Sequence, residues 1–390
     1  MYVSVAYTHA ATDSRVRRHC ETLVRRGWRV FQLGLATGEE RVVGRLDGII
    51  LVRKRQMRYR GAKLLRYAWA YASFLVWARL ILRRLARRRR IAVVQANNLP
   101  NFVVWTAAGV RRSGTAVILD IHDPVPELFQ SKFSGMRGAN LTVRALRWEE
   151  RVSAQHADAV LCVHEPHREL TERHGVQANR LRVVLNTADE RLFPVQPPRA
   201  PSPFVVYHGT VAARMGLDVF VRAMALLREA GRDVGGAIWG DGDAVPALQT
   251  LRDELGLRDV LEIAGRRFRP EDLLQRLARV GVEIVSMRRD VFTDQMLPTK
   301  LIEAVRLGIP SVVTWTPTVA RYFPENAVWY IRDFGPRPLA RTLAAVLDQP
   351  EEARRRASEA QLLPIAGGWQ QMEEGYVRIV EEVASLGQTR

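Results

Sequence analysis

Cysteine is nearly absent from this sequence: 390 residues contain only Cys20 and Cys162, far apart along the chain. Their spacing fits neither a metal site nor a redox pair, so we expect reduced thiols in a reducing compartment. The N-terminal stretch MYVSVAYTHAATDSR also lacks the basic start and apolar core of a signal peptide. These absences predict a cytoplasmic protein.

Acidic residues are missing from one long segment. Between Arg53 and Arg90 there are fourteen Lys or Arg and no Asp or Glu, which leaves only +4 of the total charge of +18 for the rest of the chain. Twelve uncharged residues lie between Arg66 and Arg79, whereas a helix needs about 20 apolar residues to span a bilayer. We therefore expect no membrane span in this segment.

The same segment is rich in aromatic residues. Residues 63–90 predict a helix whose apolar side chains exceed the needs of one core-facing stripe: Trp69, Tyr71, Phe74, Trp77, Leu80 and Ile81. Aromatic rings beside a dense cationic cluster suit the headgroup region of an anionic membrane. We predict that this helix attaches the protein peripherally to the cytoplasmic membrane face. The alternative is a core helix with a solvated basic end.

Short apolar runs alternate with helical patterns along the whole chain. In the first half, runs such as YVSVAY, AVVQAN and AVILDIHD predict buried strands of a parallel sheet covered by helices. A second series contains FVVYHG, GAIWGDGD and VEIVSM. The pattern predicts an α/β protein with two doubly wound, Rossmann-like domains that face each other across a cleft.

A proline-rich stretch separates the two series. FPVQPPRAPSPF, from Phe193 to Phe204, contains five prolines, which exclude a helix or a central strand. We therefore place the first domain at residues 1–192, a linker at 193–203 and the second domain at 204–365. Residues 366–390 predict an amphipathic helix that is a candidate to cross back to the first domain.

The loop after the first strand, THAATDSR, contains Asp13 but no glycine. A dinucleotide-dependent oxidoreductase would carry GxGxxG at this point, so the sequence disfavours that class. In the second series, Gly209 follows a strand, and Arg214 lies just before a predicted helix. This combination is typical of an anion site, with a plain turn and a surface arginine as the alternative. We interpret WGDGD as a turn and not as a metal-binding pair.

The stretch DQMLPTKLIEAVRLGIPSVVT, from Asp294 to Thr314, predicts a helix that feeds a buried strand. Lys300 and Glu303 are three residues apart, so they share one face of this helix. Because the helix follows the strand VEIVSM, the lysine could bind a phosphate and the glutamate could bind sugar hydroxyls. A surface ion pair is the alternative.

Polar residues also end two strands of the first half. His122 and Asp123 end AVILDIHD, and Asn97 and Asn98 end AVVQAN. Carboxyl ends of parallel strands lie at one edge of a sheet, where α/β proteins bind ligands. These residues are candidates for a site, with a structural histidine as the alternative.

Together these segments resemble glycosyltransferase family 4, the retaining nucleotide-sugar transferases with the GT-B fold. The resemblance covers nearly the whole chain. It depends on DSRVRRHCETLVRRGWRV, DIHDPVPELF and LRVVLNTADERLF in the first half, and on HGTVAARMGLD, GDGD and LPTKLIEAVRLGIPSVVT in the second. It implies that the first domain is the acceptor side and that the second domain binds the nucleotide sugar.

The resemblance implies roles for individual residues. Lys300 and Arg214 would bind the donor diphosphate, and His122 would face the transferred sugar. Donor binding would further involve Glu303 on the ribose hydroxyls and the backbone of Gly209 and Thr210. The acceptor-side candidates are Asp123, Asn97, Asn98 and Asp13.

The chain departs from the family pattern at three places. Gln295, beside Asp294, stands where the family often has a glutamate that contacts the donor sugar. An amide can still bind hydroxyls but carries no charge, so both residues are kept as candidate donor contacts. Met215 replaces a lysine of the phosphate loop, and the first loop lacks its usual glycines.

The implied reaction moves a sugar from a nucleoside-diphosphate sugar to a hydroxyl acceptor with retained configuration and without a metal. The acceptor would be lipid-linked or a polysaccharide precursor. One alternative is a nucleotide-sugar epimerase of the same fold. Another is a nucleic-acid-binding protein that uses residues 53–90, but no binding module surrounds that segment, so we expect no nucleic-acid partner.

Overall fold

The structure, a computed structural model, describes residues 1–9, 13–36, 38, 40–56, 64–133, 135 and 138–388. The middle of the first loop and the start of the predicted basic helix, at residue 63, lie outside the described residues. The chain forms two compact units: Met1–Asn186 with Gln371–Arg390, and Thr187–Gln370. The division after Asn186 lies ahead of the proline-rich stretch.

The first unit is built on an eight-stranded sheet. Its strands are β1 (Tyr2–His9), β2 (Val30–Ala36), β3 (Val43–Leu46), β4 (Ile49–Arg55), β5 (Val93–Asn97), β6 (Ala116–Ile121), β7 (Ala159–Cys162) and β8 (Leu181–Val183). The order is β3-β4-β2-β1-β5-β6-β7-β8, and among the described residues only β3 and β4 pair in antiparallel fashion. Every residue of β2, β5 and β6 is buried, as in a sheet covered on both faces.

Helices connect these strands: α1 (Ser14–Arg25), α2 (Leu64–Arg88), α3 (Ala108–Arg111), α4 (Val125–Phe133), α5 (Ala139–Gln155) and α6 (Glu165–Arg173). Asp13 starts α1, because its Oδ1 accepts a hydrogen bond from the Val16 N–H at 3.2 Å. Gly27, with φ of +79°, follows its end. In the described part of the chain, no helix is both long enough and apolar enough to cross a membrane.

The second unit contains a six-stranded sheet in which all pairs are parallel. Its strands are β9 (Phe204–His208), β10 (Gly235–Trp239), β11 (Leu261–Ile263), β12 (Val282–Val285), β13 (Ser311–Thr314) and β14 (Trp329–Ile331), in the order β11-β10-β9-β12-β13-β14. Val205 and Tyr207 join one apolar cluster and Val206 joins another. Alternate residues of one strand therefore face two cores, as a doubly wound sheet requires.

The helices of this unit are α7 (Leu217–Glu229), α8 (Val245–Glu254), α9 (Pro270–Leu277), α10 (Thr299–Arg306), α11 (Pro317–Tyr322), α12 (Pro336–Asp348) and α13 (Pro350–Leu362). The proline-rich stretch packs along the end of α10. A Cβ at Gly308 would lie 2.4 Å from the Pro197 carbonyl oxygen. Arg199 donates to the carbonyl oxygens of Leu277 and Leu307. The stretch is thus fixed to the second unit.

The last helix, α14 (Trp369–Gln388), belongs from Gln371 onward to the first unit. Its Tyr376 is fully buried. The Tyr376 hydroxyl lies 3.1 Å from the Tyr2 hydroxyl and donates to Gln95 Oε1 at 3.0 Å. Through the Tyr376 hydroxyl, the C-terminal helix therefore joins the buried hydrogen-bond network of the first unit.

Candidate functional site

Each sheet has a point at which the strand order reverses. In the second unit the chain runs from β9 outward through β10 to β11 and then returns to the other side of β9 with β12. In the first unit the corresponding point lies between β1 and β5. Open parallel sheets bind ligands outside the carboxyl ends of their strands at such a point.

Lys300 lies at the switch point of the second unit, in the first turn of α10. Its Nζ is 3.6 Å from the centre of the Tyr207 ring. A Cβ at Gly209, where φ is +117°, would lie 3.1 Å from this Nζ, so glycine leaves space beside the ammonium. Burial lowers the pKa of Lys300 to about 7, although Glu283 and Glu303 oppose the shift. An anion bound beside Nζ would stabilise the charged form.

Glu303 is held by a histidine that lies between two carboxylates. His208 Nδ1 lies 2.8 Å from Glu283 Oε1, and its Nε2 lies 2.9 Å from Glu303 Oε2. Burial alone would lower the pKa of His208, but the two carboxylates raise it to about 9. An imidazolium donates from both ring nitrogens. Among the described residues no donor reaches Glu303 Oε1, which remains available to a ligand hydroxyl.

Arg214 is the cation of the loop that runs from Gly209 to Gly216. Its guanidinium lies 5.8 Å from the centre of the Phe292 ring, and its buried Nε has no acceptor among the described residues. A buried donor without a partner is costly, so a ligand acceptor here would stabilise the site. Met215, next in the chain, is buried in the apolar core and does not face the loop surface.

The WGDGD loop packs directly on the backbone of this first loop. A Cβ at Gly240 would lie 1.8 Å from the Gly209 carbonyl oxygen, and one at Gly242 would lie 1.9 Å from that of Val211. The Val211 N–H donates to the Asp241 carbonyl oxygen at 3.0 Å. The two glycines therefore allow a backbone contact that fixes the shape of the loop beside Lys300.

The remaining predicted donor contacts surround this site. The Thr210 carbonyl accepts a hydrogen bond from the Tyr207 hydroxyl at 2.6 Å, and Thr210 is exposed. Asp294 accepts two hydrogen bonds from Arg289, at 2.9 and 2.8 Å. Gln295 is half-buried in the same short turn before α10. Asp294 is thus already paired, and its carboxylate would have to leave Arg289 to bind a sugar.

A small cleft of about 120 Å³ opens at the switch point of the first unit. Four of the predicted residues line it: Asp13, Asn98, His122 and Asp123. Asn98 connects two of them, because its Oδ1 accepts from the His122 N–H at 2.8 Å and its Nδ2 donates to the Asp123 carbonyl at 3.0 Å. The structure therefore brings these side chains together at one sheet edge.

Asn97 has a different environment from its neighbour. It is buried, and its Nδ2 donates to Ser4 Oγ at 2.9 Å and to the Val5 carbonyl at 3.1 Å. Asn97 does not line the cleft. Its side chain instead joins β1 to β5 just below the cleft, because successive residues of a strand point to opposite faces.

Beneath the cleft lies a buried carboxylate, Asp120. Arg15 donates to it through Nε at 3.1 Å and Nη2 at 2.9 Å, and His122 Nε2 lies 3.0 Å from Oδ2. Burial alone would raise the pKa of Asp120, but Arg15 and His122 outweigh it and hold the pKa well below the usual range. The same carboxylate raises the pKa of His122 against the effect of burial.

The residues of these sites that were not predicted from the sequence include His208, Glu283 and Asp120. Each lies inside an apolar strand, in FVVYHG, VEIVSM or AVILDIHD. A charged or titratable residue within a buried strand is itself a signal, because burial is tolerated only with a partner. Most of the partners, such as Arg15 for Asp120 and Glu283 for His208, are distant in sequence, so the signal does not identify them.

The basic helix α2 shares its apolar residues between the core and the surface. Tyr71 and Phe74 are buried in the core of the first unit, so the predicted surplus of apolar side chains is smaller than expected. Trp69, Val76 and Leu80 are 75%, 60% and 46% exposed. Their spacing of seven and four residues puts them on one face. Exposed arginines follow at the C-terminal end: Arg83, Arg84, Arg87 and Arg88.

Two family models match consecutive parts of the chain. The model described as glycosyl transferase 4-like domain matches residues 12–187, and the model described as glycosyl transferases group 1 matches residues 189–362. One curated relative, alpha-D-kanosaminyltransferase from Streptomyces kanamyceticus, is 26% identical over 315 residues, which cover 77% of this chain and 78% of the relative.

Solved structures with the same fold cover almost the whole chain. Sucrose-phosphate synthase from Thermosynechococcus elongatus has a TM-score of 0.77 at 17% identity and covers 99% of both chains. WaaG, a glycosyltransferase involved in lipopolysaccharide biosynthesis, has a TM-score of 0.70 at 14% identity, over 97% of this chain and 99% of its own. HepE from Anabaena in complex with UDP-glucose has a TM-score of 0.67 at 15% identity, over 100% of both chains.

Proposed function

Since the chain belongs to the family-4 type of glycosyltransferases with the GT-B fold, we propose that it transfers a sugar from a nucleoside-diphosphate sugar to a hydroxyl acceptor with retained configuration. A relative that binds UDP-glucose supports a donor of this chemical class. We further propose a lipid-linked or polysaccharide-precursor acceptor.

The observation that carries the proposal is the pair of under-satisfied cations in the second unit. Lys300 lies beside Gly209, which has no side chain to fill the space next to Nζ, and Arg214 has a buried Nε without an acceptor among the described residues. A diphosphate leaving group gains negative charge as the glycosidic bond breaks. Cations already in place stabilise that charge most in the transition state, so the proposed reaction needs no metal.

Other side chains complete the proposed donor site. Glu303 Oε1 accepts hydrogen bonds from the ribose hydroxyls, while Oε2 stays on His208. The backbone of Gly209 and Thr210 lines the diphosphate, and Gln295 contacts the donor sugar.

In the first unit, His122 binds a hydroxyl of the transferred sugar, and Asp13, Asn98 and Asp123 contact the acceptor from the small cleft of that unit. We propose that the donor phosphate itself takes the proton of the acceptor hydroxyl.

The first test replaces the lysine. Lys300→Ala should lower turnover by about 10²–10³-fold, the scale for the loss of one preorganised group. Arg232→Ala is the matched control, because Arg232 lies in the same unit but pairs with Asp348 at the surface. A folded Lys300→Ala protein with unchanged donor turnover would exclude this assignment.

The second test distinguishes transfer from epimerisation. With a nucleotide sugar and an acceptor, transfer releases free nucleoside diphosphate, whereas an epimerase returns an isomerised nucleotide sugar. Proton NMR of the product should show the anomeric configuration of the donor. An inverted product would contradict the retaining mechanism and leave the transferase assignment intact.

We also propose that α2 attaches the protein to an anionic membrane. The exposed Trp69, Val76 and Leu80 can enter the headgroup region, and the arginines that follow can bind lipid phosphates. Each Lys or Arg near such a surface contributes on the order of 1 kcal/mol, screened by salt. This attachment would present a lipid-linked acceptor at the surface where the enzyme lies.

Liposome co-sedimentation tests the attachment. Binding should require anionic lipid, weaken at high salt and fall when six arginines of this segment become Gln: Arg83, Arg84, Arg87, Arg88, Arg89 and Arg90. The control removes the same charge from exposed arginines of the second unit: Arg222, Arg228, Arg258, Arg279, Arg337 and Arg341. Equal binding to neutral and anionic vesicles, or an equal loss in both variants, would refute an electrostatic attachment through α2.

A further inference from the structure

The two ring nitrogens of His122 have different surroundings. Nε2 lies 3.0 Å from Asp120 Oδ2, and Asp120 is fully buried. Nδ1 meets no hydrogen-bond partner among the described residues, and the ring, 18% exposed, lines the small cleft of the first unit. The Asp120 carboxylate therefore binds Nε2, and Nδ1 remains available to a ligand in the cleft.

Asp120 is itself held from two further sides. Arg15 binds both carboxylate oxygens, and its Nη1 donates to the Val184 carbonyl at 2.9 Å, which fixes the guanidinium. Gln95 Nε2 lies 3.3 Å from Oδ2. With three donors converging on one carboxylate, its position and its negative charge are both fixed before a substrate binds.

We propose that Asp120 is a positioning residue that keeps His122 as an imidazolium, with the Nδ1–H directed at a substrate hydroxyl in the cleft. Asp120 touches no substrate and acts only through the histidine. The inference rests on the proposed function, because it assigns the form in which His122 acts. A charged donor at this place binds a sugar oxygen more strongly than a neutral imidazole does.

The charged surroundings of His122 agree with this form. The titratable groups on the elements packed around the ring are Asp120, Asp123, Asp13, Arg15 and His19. Burial and Arg15 lower the pKa of His122, whereas Asp120 and Asp13 raise it. The resulting pKa lies above the ordinary value for histidine. Burial also lowers the pKa of His19 well below its usual range, so His19 stays neutral and does not repel the imidazolium.

The network continues into the C-terminal helix. Tyr376 donates to Gln95 Oε1, and Gln95 Nε2 lies 3.0 Å from both His19 Nδ1 and Asn97 Oδ1 and 3.3 Å from Asp120 Oδ2. Loss of the Tyr376 hydroxyl removes one of the contacts that hold this amide beside the carboxylate. Tyr376 is therefore a second positioning residue, one step further from the histidine.

The main experiment titrates the eight histidines of the intact protein by ¹⁵N NMR and measures kcat and KM in parallel. Asp120→Asn should lower the His122 titration midpoint by about one to two pH units, because a hydrogen bond to a charged group is lost. Turnover at pH 7.5 should fall about ten- to hundredfold. The effect on turnover should shrink as the pH is lowered.

Asp158→Asn is the matched control. The Asp158 side chain is only 2% exposed and pairs with Arg111 at 2.8 Å, but it accepts from the Val117 N–H at the other end of β6. It should reduce the unfolding temperature to a similar extent and leave the His122 midpoint unchanged. An unchanged His122 midpoint in Asp120→Asn would overturn the inference. A shifted midpoint with unchanged turnover would instead overturn the role of His122 in transfer.

A milder variant guards against misfolding. Tyr376→Phe keeps the buried ring and should lower kcat about three- to tenfold with an unchanged KM for the donor. Tyr2→Phe removes the hydroxyl on the other side of Tyr376, which does not contact Gln95, and should leave kcat unchanged. Equal losses in the two variants would show that Tyr376 acts only through stability, contrary to the proposal.

Discussion

The lowered pKa of Lys300 predicts that donor binding takes up a proton. Burial holds this pKa at about 7 in the unliganded protein, with Nζ over the Tyr207 ring and beside Gly209. A diphosphate at Nζ favours the ammonium and returns the pKa toward the ordinary value of about 10.4. The bound form is then protonated throughout the neutral range, whereas the free form is not.

The size of the effect follows from the two pKa values. Free Lys300 is about nine-tenths protonated at pH 6 and about one-tenth protonated at pH 8. Affinity for a nucleotide sugar should therefore fall about tenfold from pH 6 to pH 8, which corresponds to about 1.4 kcal/mol. The sign is fixed, because the protonated form is the one that binds and it is lost as pH rises through 7.

Isothermal titration calorimetry with a nucleotide sugar, in two buffers of different ionisation heat, measures both the affinity and the number of protons taken up on binding. We expect roughly half a proton taken up per donor at pH 7. Lys300→Arg is the control, because a guanidinium stays charged at all these pH values and should abolish the slope. If binding to Lys300→Arg were also tenfold weaker at pH 8 than at pH 6, or if the wild type took up no proton, Lys300 would not be the source of the pH dependence.

Three further predictions concern the loop, the cofactor and stability. Gly209→Ala should weaken donor binding more than about tenfold, because φ is +117° and the new Cβ would lie 3.1 Å from Lys300 Nζ. Gly231→Ala is the control for backbone strain, because Gly231 also has a positive φ but no atom within 4 Å of its new Cβ. Activity should survive thorough chelation with EDTA, since protein cations supply the charge; loss on chelation with rescue by Mg²⁺ or Mn²⁺ would contradict this. His174 is buried, which lowers its pKa, but Glu127 and Glu150 raise it to about 9. Its contribution to stability is complete below about pH 6.5 and is lost as pH rises through 9, so the thermal midpoint of His174→Gln should fall less steeply from pH 7 to 10 than that of the wild type.

Local patterns were sufficient for the fold class. Apolar runs in regular alternation with helical stretches predict two parallel sheets, and the structure confirms them apart from the antiparallel pair of β3 and β4. The same patterns could not divide the apolar residues of α2 between the core and the surface, because a helix that is apolar on two sides does not reveal which side meets the core. Tyr71 and Phe74 pack inside, whereas Trp69 is exposed.

Which residues follow which strands could be predicted from the sequence, because strand, loop and helix are local properties of the chain. The sequence therefore identified Lys300, Arg214 and His122 as candidates, each in a segment that follows an apolar run. The electrostatic state of Lys300 and His122 depends on the tertiary structure. Groups that set it, such as Glu283 near Lys300 and Arg15 near His122, are brought together only by the order of strands in the sheets. A pKa depends on burial and on charges within a few ångströms, and those neighbours come from distant parts of the chain.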